Sequence, residues 1–385
     1  MRRKLFYVLA APLAAVAVAL VISSVVLLFA GSNPLTAYSN MWEFGTRLET
    51  LMSTLNRATP LYLSGVAVAI GFRMNLFNIG VEGQYIFAAI IAAKVGAEIN
   101  LPPVLHVSVI ILTAMVAGAF WSGIAGYLKV ARNVHEVIST IMLNAIAVSG
   151  VVAYLLGVWD VPDESLDTAL PTIPESGWMP PLNNLFEIFT REIRRVEVWG
   201  FLLVAIAVGI IYHFLINRTR IGFDLRASGE NPTAAEASGT DPKKMIMAAM
   251  LLGGAVAGLV GLPELLGDSH AYNLRFTRNL GFNGIAVALL GRNHPVGIAI
   301  GAFVIGWLDR ASGVLEVRGD APREIVAIMT GVIILAAVVA YAVVERKRRE
   351  EEAAAAAAAT AEAKERLEAQ RAEERQVGDT EGGGS

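Results

Sequence analysis

Cysteine is absent from the 385 residues, which excludes disulfides and thiolate-held metals. Charge is scarce. Asp, Glu, Lys and Arg make up 17% of the chain, against about 25% in a soluble domain. The net charge of −3 says little about partners, and no basic cluster points to nucleic acid. No phosphate loop of the form G-x-x-x-x-G-K-[ST] occurs, so ATP is not bound in that way. H-E-x-x-H and G-x-S-x-G are missing too. The five histidines, 106, 135, 213, 270 and 294, have no paired spacing, so no metal is expected. Acids inside the apolar runs are too few for a proton-relay carrier. Short alternating strands, the mark of a membrane barrel, are not found.

What the chain does have is apolar residues, 55% of the total. They fall in blocks of roughly 20, long enough to cross a hydrocarbon core of about 30 Å. The reading is an all-α polytopic membrane protein with ten segments, near 5–30, 59–73, 79–99, 104–128, 134–159, 198–216, 244–266, 281–291, 295–309 and 323–344. The second and eighth are short, as helices that line a cavity or pack wholly against protein often are. The opening MRRK and the apolar run after it exceed a signal's apolar core of about 7–15 residues and read as a retained first span. Arg2, Arg3, Lys4, Arg73, Lys129, Arg132, Arg218, Arg220, Arg226, Lys243, Lys244 and Arg292 then fall on one side with the ERKRR at 345–349. By the bias of Lys and Arg toward the cytoplasm, that side and both termini are cytoplasmic. The REIRR at 191–195 runs against this assignment. Residues 1–344 form the membrane domain. The loop 160–197 is extracytoplasmic, a plain surface loop or a docking surface. The 345–385 tail is Ala- and Glu-rich and reads as an exposed helix ending in the flexible GDTEGGGS.

Two stretches look alike. NLFNIGVEG follows the second span and NLGFNGIAVALLG follows the seventh, on opposite membrane sides. That is the pattern of an inverted repeat, segments 2–5 answering 7–10. In the first stretch Glu82 sits early in a span, where a carboxylate is costly unless paired or facing a cavity. Arg73 is its expected partner. Asn75, Asn78 and Gln84 add amides, and Gly80 and Gly83 permit close backbone approach. This set is either a structural polar knot or part of a pathway. In NVHEVISTIMLNAIAVSG, His135 and Glu136 stand at the membrane edge in a solvated role. Thr140 and Asn144 share a helix face, lining a path or only bonding the previous turn. Asn279, Asn283 and Gly284 open the short eighth segment, and His294-Pro295 ends one helix and starts the next.

The polar stretch GENPTAAEASGTDPKK, residues 229–244, lies between two apolar runs. Asn231-Pro232 is an N-cap followed by Pro at the first helical position, Gly239 is a stop, and Asp241-Pro242 restarts the chain. The result is a helix of about two turns on the cytoplasmic face, 231–239. So short a helix is unstable alone. It is either an ordinary connector packed on the bundle or a rigid knob for a cytoplasmic partner.

Taken together, FRMNLFNIGVEGQ, VHEVISTIMLNAIA, LRASGENPTAAEASG and GFNGIAVALLGRNHPVG resemble the permease subunits of ABC importers. The superfamily is that of the branched-chain amino acid and ribose permeases, and within it the chain is most similar to the bacterial nucleoside (guanosine, purine nucleoside) permeases. The resemblance covers about 5–344. It implies a complex in the bacterial plasma membrane: this chain with a second permease subunit, homologous or identical, two cytoplasmic ATPase subunits that bind ATP and Mg, and an extracytoplasmic substrate-binding lipoprotein. It implies no enzyme activity and no cofactor on this chain. It implies that Gly229, Glu230, Asn231, Pro232, Ala234, Ala235 and Gly239 belong to a coupling helix that docks on the ATPase. A nucleoside pathway would draw on Asn75, Asn78, Glu82, Gln84, Asn144 and Asn283, with Tyr85 and Phe282 as aromatic candidates. The rival readings are a sugar or branched-chain amino acid permease of the same superfamily, and an ion-coupled carrier working alone.

Overall fold

The computed structural model describes residues 17–18, 20–159, 168–183, 196–318 and scattered positions between 325 and 350. REIRR, the tail beyond 350, most of the loop at 160–197 and most of the span expected at 323–344 lie outside the described residues. What is described is helical, and extended pairing there is limited to a bridge between Ala169 and Asn273.

The chain enters through α1 (Leu20–Phe29) and turns by 116° into α2 (Pro34–Gly45). The corner is built by Gly31 at φ +76° and by Asn33, whose Oδ1 accepts from the Leu35 N–H while Pro34 takes the first helical position. Then come α3 (Leu48–Arg73), α4 (Val81–Glu98) and α5 (Pro103–Arg132). Next are α6 (Glu136–Trp159), which carries a π turn at Ile146–Val151, and α7 (Phe201–Arg218). Two helices, α8 (Arg220–Glu230) and α9 (Pro232–Ala237), make the joint to α10 (Pro242–Ser269), whose last turn is again a π turn. The short α11 (Leu280–Leu290) and α12 (Pro295–Arg318) follow.

Five of these, α5, α6, α7, α10 and α12, are long and apolar enough to cross a membrane, and six spans result if the bent α1–α2 pair is one. The protein is therefore a multi-pass membrane protein. Segment α3 runs through the centre, buried from Ala58 to Gly71 except at the half-buried Tyr62. It packs on α7, α10, α11 and α12.

The tightest packing is the crossing of α5 and α10. Ala114, Gly118 and Ser122 on α5 meet Gly254 and Gly258 on α10, four-residue spacings of small side chains on both helices. A Cβ at Gly118 would overlap the Gly254 carbonyl, and one at Gly258 would overlap the Ala114 carbonyl. Ser122 Oγ donates to the Met250 carbonyl at 2.7 Å across the same seam.

Several expected boundaries need correction, for one physical reason. The second segment, expected at 59–73, is the 26-residue Leu48–Arg73. The ninth, expected at 295–309, runs to Arg318. A hydropathy reading stops a span at a charge. Here Arg57 and Asp309, at the two false ends, neutralise each other: Arg57 Nε lies 2.7 Å from Asp309 Oδ2. The eighth segment is short as expected. The second is not. Helices α2 and α8 were not anticipated.

Candidate functional site

The stretch after α3 folds back into the bundle. Asn75 takes the left-handed conformation at φ 56°, which Asn tolerates better than most residues at a helix C-terminus. The Leu76 N–H then returns to the Gly71 carbonyl at 3.0 Å. Asn78 Oδ1 accepts from the Gly80 N–H at 2.9 Å and from Gln84 Nε2 at 3.1 Å. Asn144 of α6 completes the knot: its Oδ1 accepts from Gly83 N–H at 2.8 Å and its Nδ2 donates to the Ile79 carbonyl at 2.9 Å. Asn78, Gln84 and Asn144 are all buried, so each amide unpaired would cost about 1–3 kcal/mol. Here they satisfy one another and the broken backbone between α3 and α4.

Glu82 lies at the other side of this knot, only 4% exposed. Its expected partner, Arg73, does not reach it. Arg73 Nη2 instead donates to the Asn293 carbonyl at 3.0 Å, which also accepts from Tyr212 Oη at 2.8 Å. The Glu82 carboxylate accepts from the N–H of Asn279 at 2.7 Å and of Gly281 at 2.8 Å. These are among the orphan donors at the start of α11. The carboxylate thus caps a second helix with its negative charge on that helix's positive end. Tyr85 Oη lies 3.1 Å from Glu82 Oε1 and 2.9 Å from the Thr277 carbonyl oxygen. A Cβ at Gly281 would overlap the Glu82 backbone, and Ser64 Oγ of α3 donates to the Leu280 carbonyl at 2.8 Å. The two look-alike stretches therefore meet, N-terminus to N-terminus, inside the bundle.

The other candidates divide by exposure. Asn75 and Phe282 are exposed and Asn283 is half-buried, so these three present groups outward, whereas Asn78, Glu82, Gln84, Tyr85 and Asn144 are locked inside. Thr140 bonds back to the Glu136 carbonyl at 2.7 Å, the local role rather than a lining one. Glu136 is not solvated as expected: it is buried and paired with Lys129 at 2.9 Å, while His135 Nδ1 accepts from the Val137 N–H as the cap of α6.

A polar pocket at the end of the bundle remote from α8 and α9 was missed. Asn56, Arg57, Trp199, Glu264, Asp268 and Arg310 surround about 120 Å³. Asn56 is fixed by the Glu197 carbonyl at 2.7 Å and the Trp199 N–H at 2.9 Å. The signal was the spacing of the charges: Arg57 and Asp309-Arg310 each flank an apolar run by one to three residues.

At the joint, the local rules hold. Asn231 Oδ1 accepts from Ala234 N–H at 3.0 Å, Pro232 follows it, and Gly239 at φ +84° ends the turn. Asp241 caps α10 through the N–H groups of Lys243 and Lys244, the Lys244 N–H chief among the contacts that lower its carboxyl below the usual range. Ala235 is buried and holds α9 to the bundle, while Pro232, Thr233, Ala234, Glu236 and Ala237 are exposed. The Thr240 N–H bonds the Ala235 carbonyl at 3.0 Å, and Thr240 Oγ1 reaches Asp224 Oδ1 of α8 at 3.3 Å. Gly229 packs against the Met74 backbone, so the joint touches the start of the α3–α4 break.

Among the described residues the chain is thus a bundle of apolar helices with a break between α3 and α4 inside it and a short capped helix outside. The family model "Branched-chain amino acid transport system / permease component" matches residues 50–338. The chain belongs to that family. It is 37% identical over 328 residues to the guanosine ABC transporter permease protein NupP of Bacillus subtilis (strain 168), covering 84% of this chain and 91% of NupP. It is 31% identical to the glucose ABC transporter permease protein TsgB13 of Haloferax volcanii (84% and 85% covered). It is 29% identical to the nucleoside ABC transporter permease protein NupB of Lactococcus lactis subsp. cremoris (84% and 88% covered). No solved structure matches.

Proposed function

We propose that this chain is the transmembrane permease subunit of an ATP-driven nucleoside importer. The observation that carries the reading is α9, a six-residue helix capped at both ends and exposed on most of its surface. A helix so short gains little stability of its own, so its stiffness serves contact with something outside the chain. On this reading α9 seats in an ATPase subunit that supplies ATP and Mg. Motion there enters the bundle through α8, Gly229 and Met74, next to the α3–α4 break. The membrane is the bacterial plasma membrane, the joint and both termini face the cytoplasm, a second permease subunit completes the pathway, and a binding lipoprotein delivers solute from outside. The ten-span count and the inverted repeat belong to the same proposal. The repeat is supported by the way α3 packs on α12 as α5 packs on α10, and by α4 and α11 meeting at their N-termini.

Substrate class rests on the names of NupP and NupB, while TsgB13 keeps a sugar as the second reading. Nucleosides and sugars are both neutral and rich in hydroxyls. Asn75, Asn283 and Phe282 offer amides and a ring to either, with the knot of Asn78, Glu82, Gln84, Tyr85 and Asn144 serving as the hinge behind them. The test is uptake by the complex in proteoliposomes with labelled guanosine, glucose and leucine. Guanosine uptake that needs ATP and the ATPase subunits is expected. Uptake by the purified chain alone without nucleotide would overturn the reading, and uptake of glucose in place of guanosine would move it to the sugar branch. Ala234→Trp should weaken ATPase association while membrane insertion survives.

A further inference from the structure

A cleft of about 740 Å³ opens between α3, α7 and α12. Its walls are mostly hydrocarbon: Leu55 and Ala58 on α3, Ala205 and Ile206 on α7, Ala299 and Phe303 on α12, with the Tyr62 hydroxyl among them against Gly209. No Asp or Glu lines it. Thr59 is satisfied within its own helix, donating to the Leu55 carbonyl at 2.8 Å. Such a cleft attracts hydrocarbon and offers water few partners.

The cleft has one polar end. His213 and His294 close it, their rings 6.1 Å apart. Arg73 is held beside them, because its guanidinium and the Tyr212 hydroxyl both bond the carbonyl of Asn293, the residue before His294. Arg292 is exposed on the same turn. This is the end at which α7 runs on into α8. The guanidinium of Arg73 and the N–H donors of the two rings suit a phosphate.

The depth of the cleft and its basic end select the occupant. From Leu202 to His213 helix α7 rises roughly 16 Å at about 1.5 Å per residue. That is close to half of a hydrocarbon core of about 30 Å, the depth of one leaflet. The acyl chains of one leaflet span that depth, and the cations stand at the end where a headgroup would lie.

We propose that this cleft is a binding site for one anionic phospholipid of the leaflet on the α9 side. Its acyl chains lie between α7 and α12, and its phosphate meets Arg73, Arg292, His213 and His294. Juxtamembrane basic pockets of this kind are read by anionic headgroups. The site is separate from the transport reading and does not depend on it.

The test is native mass spectrometry of the detergent-purified chain exchanged with phosphatidylglycerol or with phosphatidylcholine of the same acyl chains. One phosphatidylglycerol should remain bound at collision energies that strip phosphatidylcholine. Ala299→Trp, which fills the cleft, should lower that adduct by at least about five-fold, a change of roughly 1 kcal/mol. Ile211→Trp, on an exposed face of α7 outside the cleft, should leave it unchanged. If Ala299→Trp does not insert, Ile300→Trp makes the same obstruction from an exposed position. The double change His213→Ala with His294→Ala should weaken the preference for phosphatidylglycerol, with the arginines still in place, and keep a bound lipid. Equal retention of the two lipids by the unaltered chain would overturn the proposal, as would an adduct that survives both obstructing variants. Because the chain has no cysteine, Val296→Cys gives a single cross-linking site at the cleft. A cross-link from it to another protein subunit would replace the lipid with a helix and also overturn the proposal.

Discussion

The joint at 219–241 and the crossing of α4 with α11 are both places where a helix stops and another begins, but they are stabilised in opposite ways. At the joint every capping partner is within three residues in sequence: Thr219 for Gly222, Asn231 for Ala234, Asp241 for Lys243 and Lys244. At the crossing the partners are remote. Glu82 caps residues 279 and 281, Asn144 serves residues 79 and 83, and Ser64 serves residue 280. A locally capped element can move as a stiff body on the outside of the bundle. A remotely capped one moves only if the bundle rearranges. The difference fits a lever outside and a hinge inside.

If that contrast is right, damage should grow with the distance over which a residue makes its contacts. The largest effect is expected at Gly258. Leucine there would drive a side chain into the Ala114 carbonyl, and neither helix backbone can yield. The cost should exceed the ~1–3 kcal/mol usual for overpacking. The yield of monodisperse protein in mild detergent should fall to near background, and a normal yield would show that the α5–α10 seam is looser than drawn here.

Next is Glu82→Ala. It removes the acceptor for the backbone N–H groups of Asn279 and Gly281, the second of them buried, and strands the start of α11. With charged hydrogen bonds at about 1.5–3 kcal/mol each, several kcal/mol are at stake. Glu82→Gln keeps the size but brings an NH₂ against those same donors, so it should recover only part. Thermal unfolding of the purified chain ranks the three proteins. Equal midpoints for Gln and Glu would mean that charge and acceptor count are not what holds the crossing.

The same contrast explains what could be read in advance. Asn231-Pro232, Gly239 and Asp241-Pro242 announce caps because capping is a rule of neighbours. The span positions of α4, α5, α6 and α7 were legible within a few residues because hydrophobicity there is continuous. Legibility failed where a residue's fate depends on a distant partner. Arg57 and Asp309 looked like span ends because each, alone, is too costly to bury. Arg73 looked like the partner of Glu82 because it is near in sequence, but the chain turns at Asn75 and carries them apart. The small residues of GGAVAG and AMVAG were visible, yet nothing local says that they face each other. For the candidate site, the polar residues stood out in the sequence, but their sorting into buried knot and open surface was not readable. Exposure is set by the packing of α6 and α11 against α4.

A smaller effect is expected at Asn231. Alanine there removes one cap bond, worth about 1 kcal/mol, from a helix of two turns. Bundle stability should hardly change. If α9 is the lever proposed above, uptake by the assembled complex should fall more than unfolding temperature does, since a frayed α9 would transmit less. A loss of stability comparable to that of Glu82→Ala would erase the distinction between lever and hinge.

The smallest is Asp241→Asn, and it separates the cap from its charge. Asparagine caps about as well as aspartate, so the N–H groups of Lys243 and Lys244 keep an acceptor and α10 keeps its start. What is lost is the negative charge beside the helix N-terminus and Lys244. The carboxyl of Asp241 is held below its usual value in the folded chain, first by the Lys244 N–H. Its charge therefore favours the folded joint at pH above the ordinary carboxylate pKa of about 3.9, and that contribution disappears as pH falls through the lowered value. From pH 8 to 5 the native joint should hold a small, constant advantage over Asp241→Asn. The two should converge only in stronger acid. Hydrogen exchange at the amides of 243–246 reads this directly, because it reports opening of that turn and not of the whole bundle. An advantage that varies between pH 8 and 5 would point to another titrating group in the joint, and the cap would then not be as local as its geometry implies.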